Sequence, residues 1–342
     1  MVESDPKRLV LTLTGEIPVN TTRIRAGRNS RVFRVDCKSG CTLLTKFYLQ
    51  PTADGCSRLN QEWVALKFMN ESGITCIPRP IGFDESAQGT IYSFIHGNPV
   101  EETTYESIRA VLSFLAKLKK ISTKANAATL PHAAEACFSP AELIENIHLR
   151  FEKLRGLPAQ DELYQRMHSY LDDKFLPELK KCIDNTKQNF PGKLWNKQLP
   201  HDLRILSPSD FGFHNMIKSD NKFTFVDFEY FGWDDPVKAT SDFLLHPAMN
   251  LNESQMKLFF TGMIDTFKTD KNFITRFKTY LPLFRLKWCM ILLNEFLNHH
   301  LEQREFANGE MVPRDELRRE QLEKAENFLN KDQKILTALN LR

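Results

Sequence analysis

Glycine is scarce in this chain, 14 of 342 residues, so a glycine in a suggestive loop carries unusual weight. Long apolar runs are missing: the densest, Trp288 to Leu293, falls far short of the roughly 18 residues a membrane span requires. Charge of one sign is missing too. Lysine and arginine number 46 against 43 acidic residues, a net charge of +3, which argues against nucleic-acid and membrane partners. The opening MVESDPKRLV carries acids and no apolar core, so it does not read as an export signal. The seven cysteines, at 37, 41, 56, 76, 137, 182 and 289, form no C-x-x-C pair. The expectation is free thiols in a reducing cytoplasm, without a disulfide framework or a zinc cluster.

Aromatic residues are plentiful instead: 26 Phe, seven Tyr and four Trp. That content excludes disorder as the main state, and the length fits two domains or two lobes with substantial cores. The first part reads as short strands at Val10 to Leu13, Ser30 to Asp36, Thr42 to Leu49 and Gly89 to Phe94, interrupted by a helix near Ser57 to Asn70. Ile77-Pro78-Arg79-Pro80 reads as extended, because a proline disfavours the helical region in the residue before it. From about Thr103 the spacing of apolar residues turns helical, over 105–120, 140–154, 161–185, 253–269, 280–300 and 314–339. One β island, Asn215 to Phe231, interrupts this half. The expectation is an α+β, bilobal architecture: residues 1–95 a small antiparallel β lobe with one helix, residues 96–342 a large helical lobe.

The strongest local signal is Ser207-Pro208-Ser209-Asp210-Phe211-Gly212-Phe213-His214-Asn215, followed by Val226-Asp227-Phe228-Glu229. Ser219-Asp220-Asn221 reads as a turn, and centring it near 221 places Asn215 opposite Asp227 across a hairpin. An amide oxygen and a carboxylate are hard ligands suited to a partly hydrated Mg²⁺ shared with phosphates. Asp210, in the loop entering the hairpin, can accept or orient the proton of a substrate hydroxyl. A lone Asp227 could equally be paired with an arginine such as Arg204; the joint spacing Asp-x4-Asn-x11-Asp favours a metal site.

In the first lobe, strand residues Leu44, Lys46 and Tyr48 share a face, and Glu62 falls on the apolar stripe of the following helix. An inward glutamate needs a cation, and a lysine fixed by a glutamate can be aimed at phosphate oxygens. Upstream, Arg25 to Val35 holds one glycine, Gly27, and Ser30, a turn able to cover phosphates through backbone N–H groups. Ser93, Phe94 and Ile95 join the two lobes and can offer backbone groups to an adenine edge.

These residues resemble the aminoglycoside phosphotransferase and choline kinase superfamily over about residues 20 to 245. Gly27, Ser30, Phe33 and Val35 match its nucleotide loop, with Ser30 where Asn is usual; Lys46 and Glu62 look like its strand lysine and helix glutamate. Ser93 to Ile95 match its adenine hinge, Asp210 and Asn215 its catalytic loop as base and Mg²⁺ ligand, and Asp227 its metal-binding aspartate. Asp242 resembles an aspartate that supports the catalytic loop. Pro208 stands where the family has a histidine buttressing that loop. The resemblance implies a kinase using ATP and Mg²⁺ on a hydroxyl of a small molecule, an amino alcohol, sugar or aminoglycoside. Glu229, Trp233, Asp234 and Asp235 either line an acceptor pocket suited to a cation or cap the next helix. The rival expectations are a non-catalytic ATP-binding protein, favoured by the missing histidine, and a protein kinase, disfavoured by the lack of an A-P-E segment. Oligomeric state has no signature in the sequence.

Overall fold

The computed structural model describes residues 5–24, 29–49, 57–220 and 222–341. It opens on a helix, α1 (Pro6–Thr14), where the sequence reading has a strand over Val10 to Leu13. The physical reason lies in the caps. Asp5 accepts from the Arg8 N–H at 3.0 Å, Pro6 presets the first helical φ, and Gly15 ends the helix at φ 72°. Leu9 and Val10 are buried on one side of the helix, with Leu13 packed beside them.

Five strands follow in an antiparallel sheet ordered β1-β2-β3-β5-β4: β1 (Pro18–Ile24), β2 (Ser30–Cys37), β3 (Thr42–Tyr48), β4 (Pro80–Asp84) and β5 (Gly89–Ser93). Helix α2 (Arg58–Glu71), capped by the Ser57 side chain at the Asn60 N–H, connects β3 to β4. The two sheet faces belong to different cores. Beneath α1 lies a small one of Leu9, Val10, Val35, Leu43, Phe47 and Ile91. On the other side α2 contributes Ala65, Leu66, Phe68 and Met69 to a large core continuous with the helical lobe.

After the connector, β6 (Asn98–Pro99) pairs with a later hairpin. The helical lobe contains α3 (Tyr105–Ile121), α4 (Pro140–Arg155), α5 (Glu162–Ser169) and α6 (Leu176–Asn189). The single helix expected over 161–185 is divided by a π-helical turn at Tyr170–Phe175. Pro177 accounts for the widening, since it has no N–H to give Asp173 and its ring crowds that carbonyl. Strands β7 (Ile205–Ser207), β8 (Met216–Ser219), β9 (Lys222–Phe225) and β10 (Gly232–Asp234) form the site platform; β8 pairs with β9 and β7 with β10. Then come α7 (Pro236–Leu245), α8 (Glu253–Thr266), α9 (Phe273–Leu292), α10 (Asn298–Asn308), α11 (Arg314–Phe328) and α12 (Lys331–Ala338). The helix read over 280–300 thus starts earlier and is broken at 293–296, and the one read over 314–339 is two. Among the described residues no helix is long and apolar enough to cross a membrane.

Helix α10 reaches back to the first sheet. Arg23 donates to the Ala307 carbonyl at 2.7 Å and Arg31 to that of Phe306 at 2.9 Å. The Arg31 guanidinium also lies 4.2 Å from the centre of the Phe306 ring.

Candidate active site

Strand β3 is buried along its second half, and its register with Val32 on one side and Thr90 on the other holds Lys46 in the middle of the sheet. The ammonium reaches Glu62 of α2 at 2.6 Å, Asp227 at 2.6 Å and Glu229 at 3.5 Å. Asp227 therefore pairs with Lys46 and not with Arg204, whose guanidinium lies 3.8 Å from the centre of the Phe138 ring. Burial works against the Lys46 charge, but Asp227, Glu62 and Glu229 outweigh it and hold its pKa well above the ordinary value. Glu62 is held from two further directions: it accepts from the Tyr48 hydroxyl as well as from Lys46, and its other oxygen takes the Phe228 N–H at 3.1 Å.

The hairpin is offset by one residue from the sequence reading. Met216 pairs with Phe225, and the Val226 N–H donates to the Asn215 carbonyl at 3.0 Å. Asn215 thus faces Val226, and Asp227 lies one residue beyond, past the end of β9. Its φ of 67° places it in the left-handed region, uncommon for a residue with a Cβ and most tolerated by Asn and Asp. That twist turns Asp227 out of the strand alternation and toward Lys46. The Asn215 amide nitrogen donates to the Asp210 carbonyl at 3.0 Å, leaving its oxygen as the ligand atom. An amide oxygen and a carboxylate beside the lysine form a donor set that fits a hard divalent cation.

Asp210 sits in the loop after β7, its side chain 42% exposed. Its Oδ1 is 3.2 Å from His214 Nε2 and 3.7 Å from His246 Nε2, and the two imidazoles stack with centres 4.5 Å apart. The Ala248 N–H donates to His246 Nδ1 at 3.1 Å, which fixes the proton on Nε2, facing the carboxylate. Burial, then the His214 charge, depress the His246 pKa to about 4, so the ring is neutral at physiological pH. Neither histidine was found from sequence: His246 is 36 positions from Asp210 and carries no motif.

The loop that lacks the family's histidine at Pro208 is held by a buried lysine. Lys238 Nζ donates to Ser209 Oγ at 3.1 Å and pairs with Asp234 at 2.9 Å and Asp242 at 3.0 Å. Ser209, itself at φ 66°, donates to the Ala134 carbonyl at 2.9 Å. Asp242 also accepts from the Trp288 indole at 2.9 Å. Lys238 is not singled out by the sequence: Asp234 and Asp242 stand four residues to either side of it, and its reach to the loop is created by the fold.

Of the two readings for Glu229, Trp233, Asp234 and Asp235, helix capping holds for Asp235 alone, since Trp233 and Asp234 lie on β10 and Glu229 faces Lys46. Asp235 caps α7 and pairs with Arg276 at 2.6 Å, Asp234 is buried against Lys238, and the Trp233 indole donates to the Ala127 carbonyl. Glu229 is buried, with Asn29 donating to it at 2.7 Å; burial and the Asp227 charge push its pKa up to about 7 against the pull of Lys46. All four are engaged inside the protein, so they form no acidic wall. Ser30 and Val35 lie buried on β2, and Gly27 falls outside the described residues. Ser93 ends β5, where its hydroxyl accepts from the Arg79 N–H at 2.9 Å. Phe94 and Ile95 follow, half-buried, with the Arg34 guanidinium 5.1 Å from the centre of the Phe94 ring.

Residues 20–238 match the model of the phosphotransferase enzyme family. No curated protein matches the sequence. Among solved structures, an AMP-bound spectinomycin phosphotransferase is similar at 14% identity and a TM-score of 0.63, with 95% of this chain and 96% of that one covered. An ethanolamine kinase of Plasmodium vivax is similar at 13% identity and a TM-score of 0.62, covering 95% and 88%. A choline/ethanolamine kinase family protein of Mesorhizobium loti is similar at 14% identity and a TM-score of 0.58, covering 98% and 97%. These likenesses establish the bilobal α+β fold.

Proposed function

Since the chain belongs to the phosphotransferase enzyme family, we propose that it is a small-molecule kinase that transfers the terminal phosphoryl group of ATP, with Mg²⁺, to a hydroxyl of its acceptor. One observation carries this reading: Lys46, clamped by Glu62, meets Asp227 at 2.6 Å, while Asn215 ties the same hairpin to the Asp210 loop. In this reading Lys46 binds phosphate oxygens. Gly27 and Ser30 belong to the loop covering the phosphates, and Val35 with Ser93, Phe94 and Ile95 borders the adenine. Asn215 and Asp227 would hold the Mg²⁺, which would neutralise charge on the transferring group. Asp210 orients the acceptor hydroxyl and takes its proton, with His214 and His246 fixing the carboxylate.

Most of the acceleration in such a site comes from positioning and charge neutralisation, since phosphoryl transfer leaves little covalent chemistry for side chains. The acceptor is an amino alcohol, a sugar or an aminoglycoside; the engagement of Glu229, Asp234 and Asp235 removes the argument for a cation-binding acidic wall. The test is an ATP-consumption screen over choline, ethanolamine, sugars, aminoglycosides and a peptide panel, repeated with Asp210→Ala. Acceptor-dependent turnover should drop at least about a thousandfold in the variant with nucleotide binding retained. Undiminished turnover in Asp210→Ala would remove the mechanism, and peptide phosphorylation would replace the acceptor class.

A further inference from the structure

A second cluster of ligand-type side chains lies at the far end of the first sheet. Strand β2 ends at Cys37 and β3 starts at Thr42, and the turn between them is closed by two backbone bonds. The Cys37 N–H donates to the Cys41 carbonyl at 2.9 Å, and the Gly40 N–H to the Cys37 carbonyl at 3.0 Å. Gly40, at φ 86°, supplies the left-handed residue this turn requires. The two thiols therefore flank one tight turn, Cys37 buried and Cys41 half-buried.

A third donor comes from another element. Gly15 at the end of α1 redirects the chain, and the Lys38 N–H donates to the Ile17 carbonyl at 2.9 Å, fastening the segment to the turn. Glu16 is thereby brought to the thiols, and Ser39 Oγ donates to its Oε2 at 2.6 Å. The two sulfurs and a Glu16 carboxylate oxygen all lie within 4.8 Å of one another. Tetrahedral zinc, with Zn–S near 2.3 Å and Zn–O near 2.1 Å, spaces such ligand atoms about 3.5–3.8 Å apart, so modest contraction completes the geometry.

We propose that Glu16, Cys37 and Cys41 form a thiophilic metal site that takes Zn²⁺, with water in the fourth position. The sequence reading expects no zinc cluster for want of a C-x-x-C pair, but the C-x3-C spacing lies within the range zinc ligands use, with the third ligand 21 positions upstream. Ser39 acts as the outer partner that orients a ligating carboxylate. A disulfide, the other chemistry open to two neighbouring thiols, has no use for Glu16. The site ties the end of α1 to the β2–β3 turn, at the opposite end of those strands from Ser30 and Tyr48. Metal there stabilises the first lobe and leaves the phosphoryl-transfer groups untouched.

The test uses the full-length, reduced chain equilibrated with Zn²⁺ alone and freed of excess, with metal content, melting temperature and the Co²⁺-substituted spectrum as readouts. One Zn²⁺ per chain, a raised melting temperature and a thiolate-to-cobalt charge-transfer band are expected. All three should be lost in Cys41→Ser, a half-exposed position where folding is preserved, while basal activity is unchanged. Glu16→Gln should weaken binding by at least about tenfold. His246→Phe should leave the charge-transfer band intact, which separates this site from the imidazoles beside Asp210. Absence of a thiolate band, equal Zn²⁺ retention in Cys41→Ser, or quantitative closure of Cys37 and Cys41 to a disulfide without metal uptake would each overturn the proposal.

Discussion

Two buried lysines, Lys46 and Lys238, each sit among carboxylates, and the contrast between them separates chemistry from architecture. Lys238 is closed in: Asp234 is fully buried, Asp242 is 14% exposed with its carboxylate also bonded to Trp288, and both lie four residues away along the chain. Its third contact is the hydroxyl of Ser209. Lys46 gathers its partners from α2 and from the segment after β9, and one of them, Asp227, keeps a side chain 30% exposed. A buried lysine among carboxylates is a stability device wherever every partner is sealed, because removing one charge strands the others. It becomes a candidate for chemistry where one partner retains access to a ligand. The open cluster also carries the left-handed backbone at Asp227, the kind of local strain that accumulates at functional sites.

The sharpest test of this contrast is Asp227→Ala. Turnover should fall by about a thousandfold or more, as for loss of a group that stabilises transferring charge. The melting temperature should hardly move, since Lys46 keeps Glu62 and Glu229. A melting temperature that collapses with activity would make the open cluster structural too. Lys238→Met is the mirror experiment: urea unfolding should show a loss of about 3–5 kcal/mol, because Asp234 is left buried without its cation, while the folded fraction still binds nucleotide.

His246 connects the two regions, stacked on the imidazole beside Asp210 and edge-on to Trp288, which in turn donates to Asp242. Its folded pKa, depressed to about 4, lies below that of an unfolded histidine. Between about pH 6.5 and 4 the unfolded chain binds the extra proton, so the stability this residue contributes is complete above about 6.5 and lost as pH falls toward 4. The difference in stability between wild type and His246→Phe should therefore shrink by about 3 kcal/mol over that window; a flat difference curve would place a charged imidazole beside Asp210. The smallest effect belongs to Tyr48→Phe. Glu62 retains Lys46 and the Phe228 N–H, so denaturant titration should show a loss of about 1.5 kcal/mol.

The legible part of the molecule is the part set by short-range pattern. The strands Ser30 to Asp36 and Thr42 to Leu49, the helix after Ser57 and the family motif around Asp210 all announce themselves through alternation, capping and spacing. What stayed hidden depends on contacts between distant segments. The α1 helix was misread because Val10 to Leu13 is short enough for its apolar residues to suit either period. The hairpin register was off by one because a turn centre cannot be fixed from a polar stretch alone, and a single residue moves every facing pair. Lys238 and His246 support the Asp210 loop from helix α7 and its end, a relation that only the tertiary fold creates. The acidic run Asp234-Asp235 was ambiguous because a carboxylate's partner, here Lys238 or Arg276, decides whether it faces a ligand or a core.

The grip of helix α10 on the first sheet bears on how freely the two lobes can move apart. Arg23 and Arg31 reach across to the carbonyls of Ala307 and Phe306, so the two lobes are joined here as well as at the connector after Ser93 and through the Lys46 cluster. Any opening that widens the cleft on that side must first release two guanidinium–carbonyl bonds, at about 1.5–3 kcal/mol for each charged hydrogen bond. The lobes then behave less as a pair of jaws on one hinge than as a clasped frame.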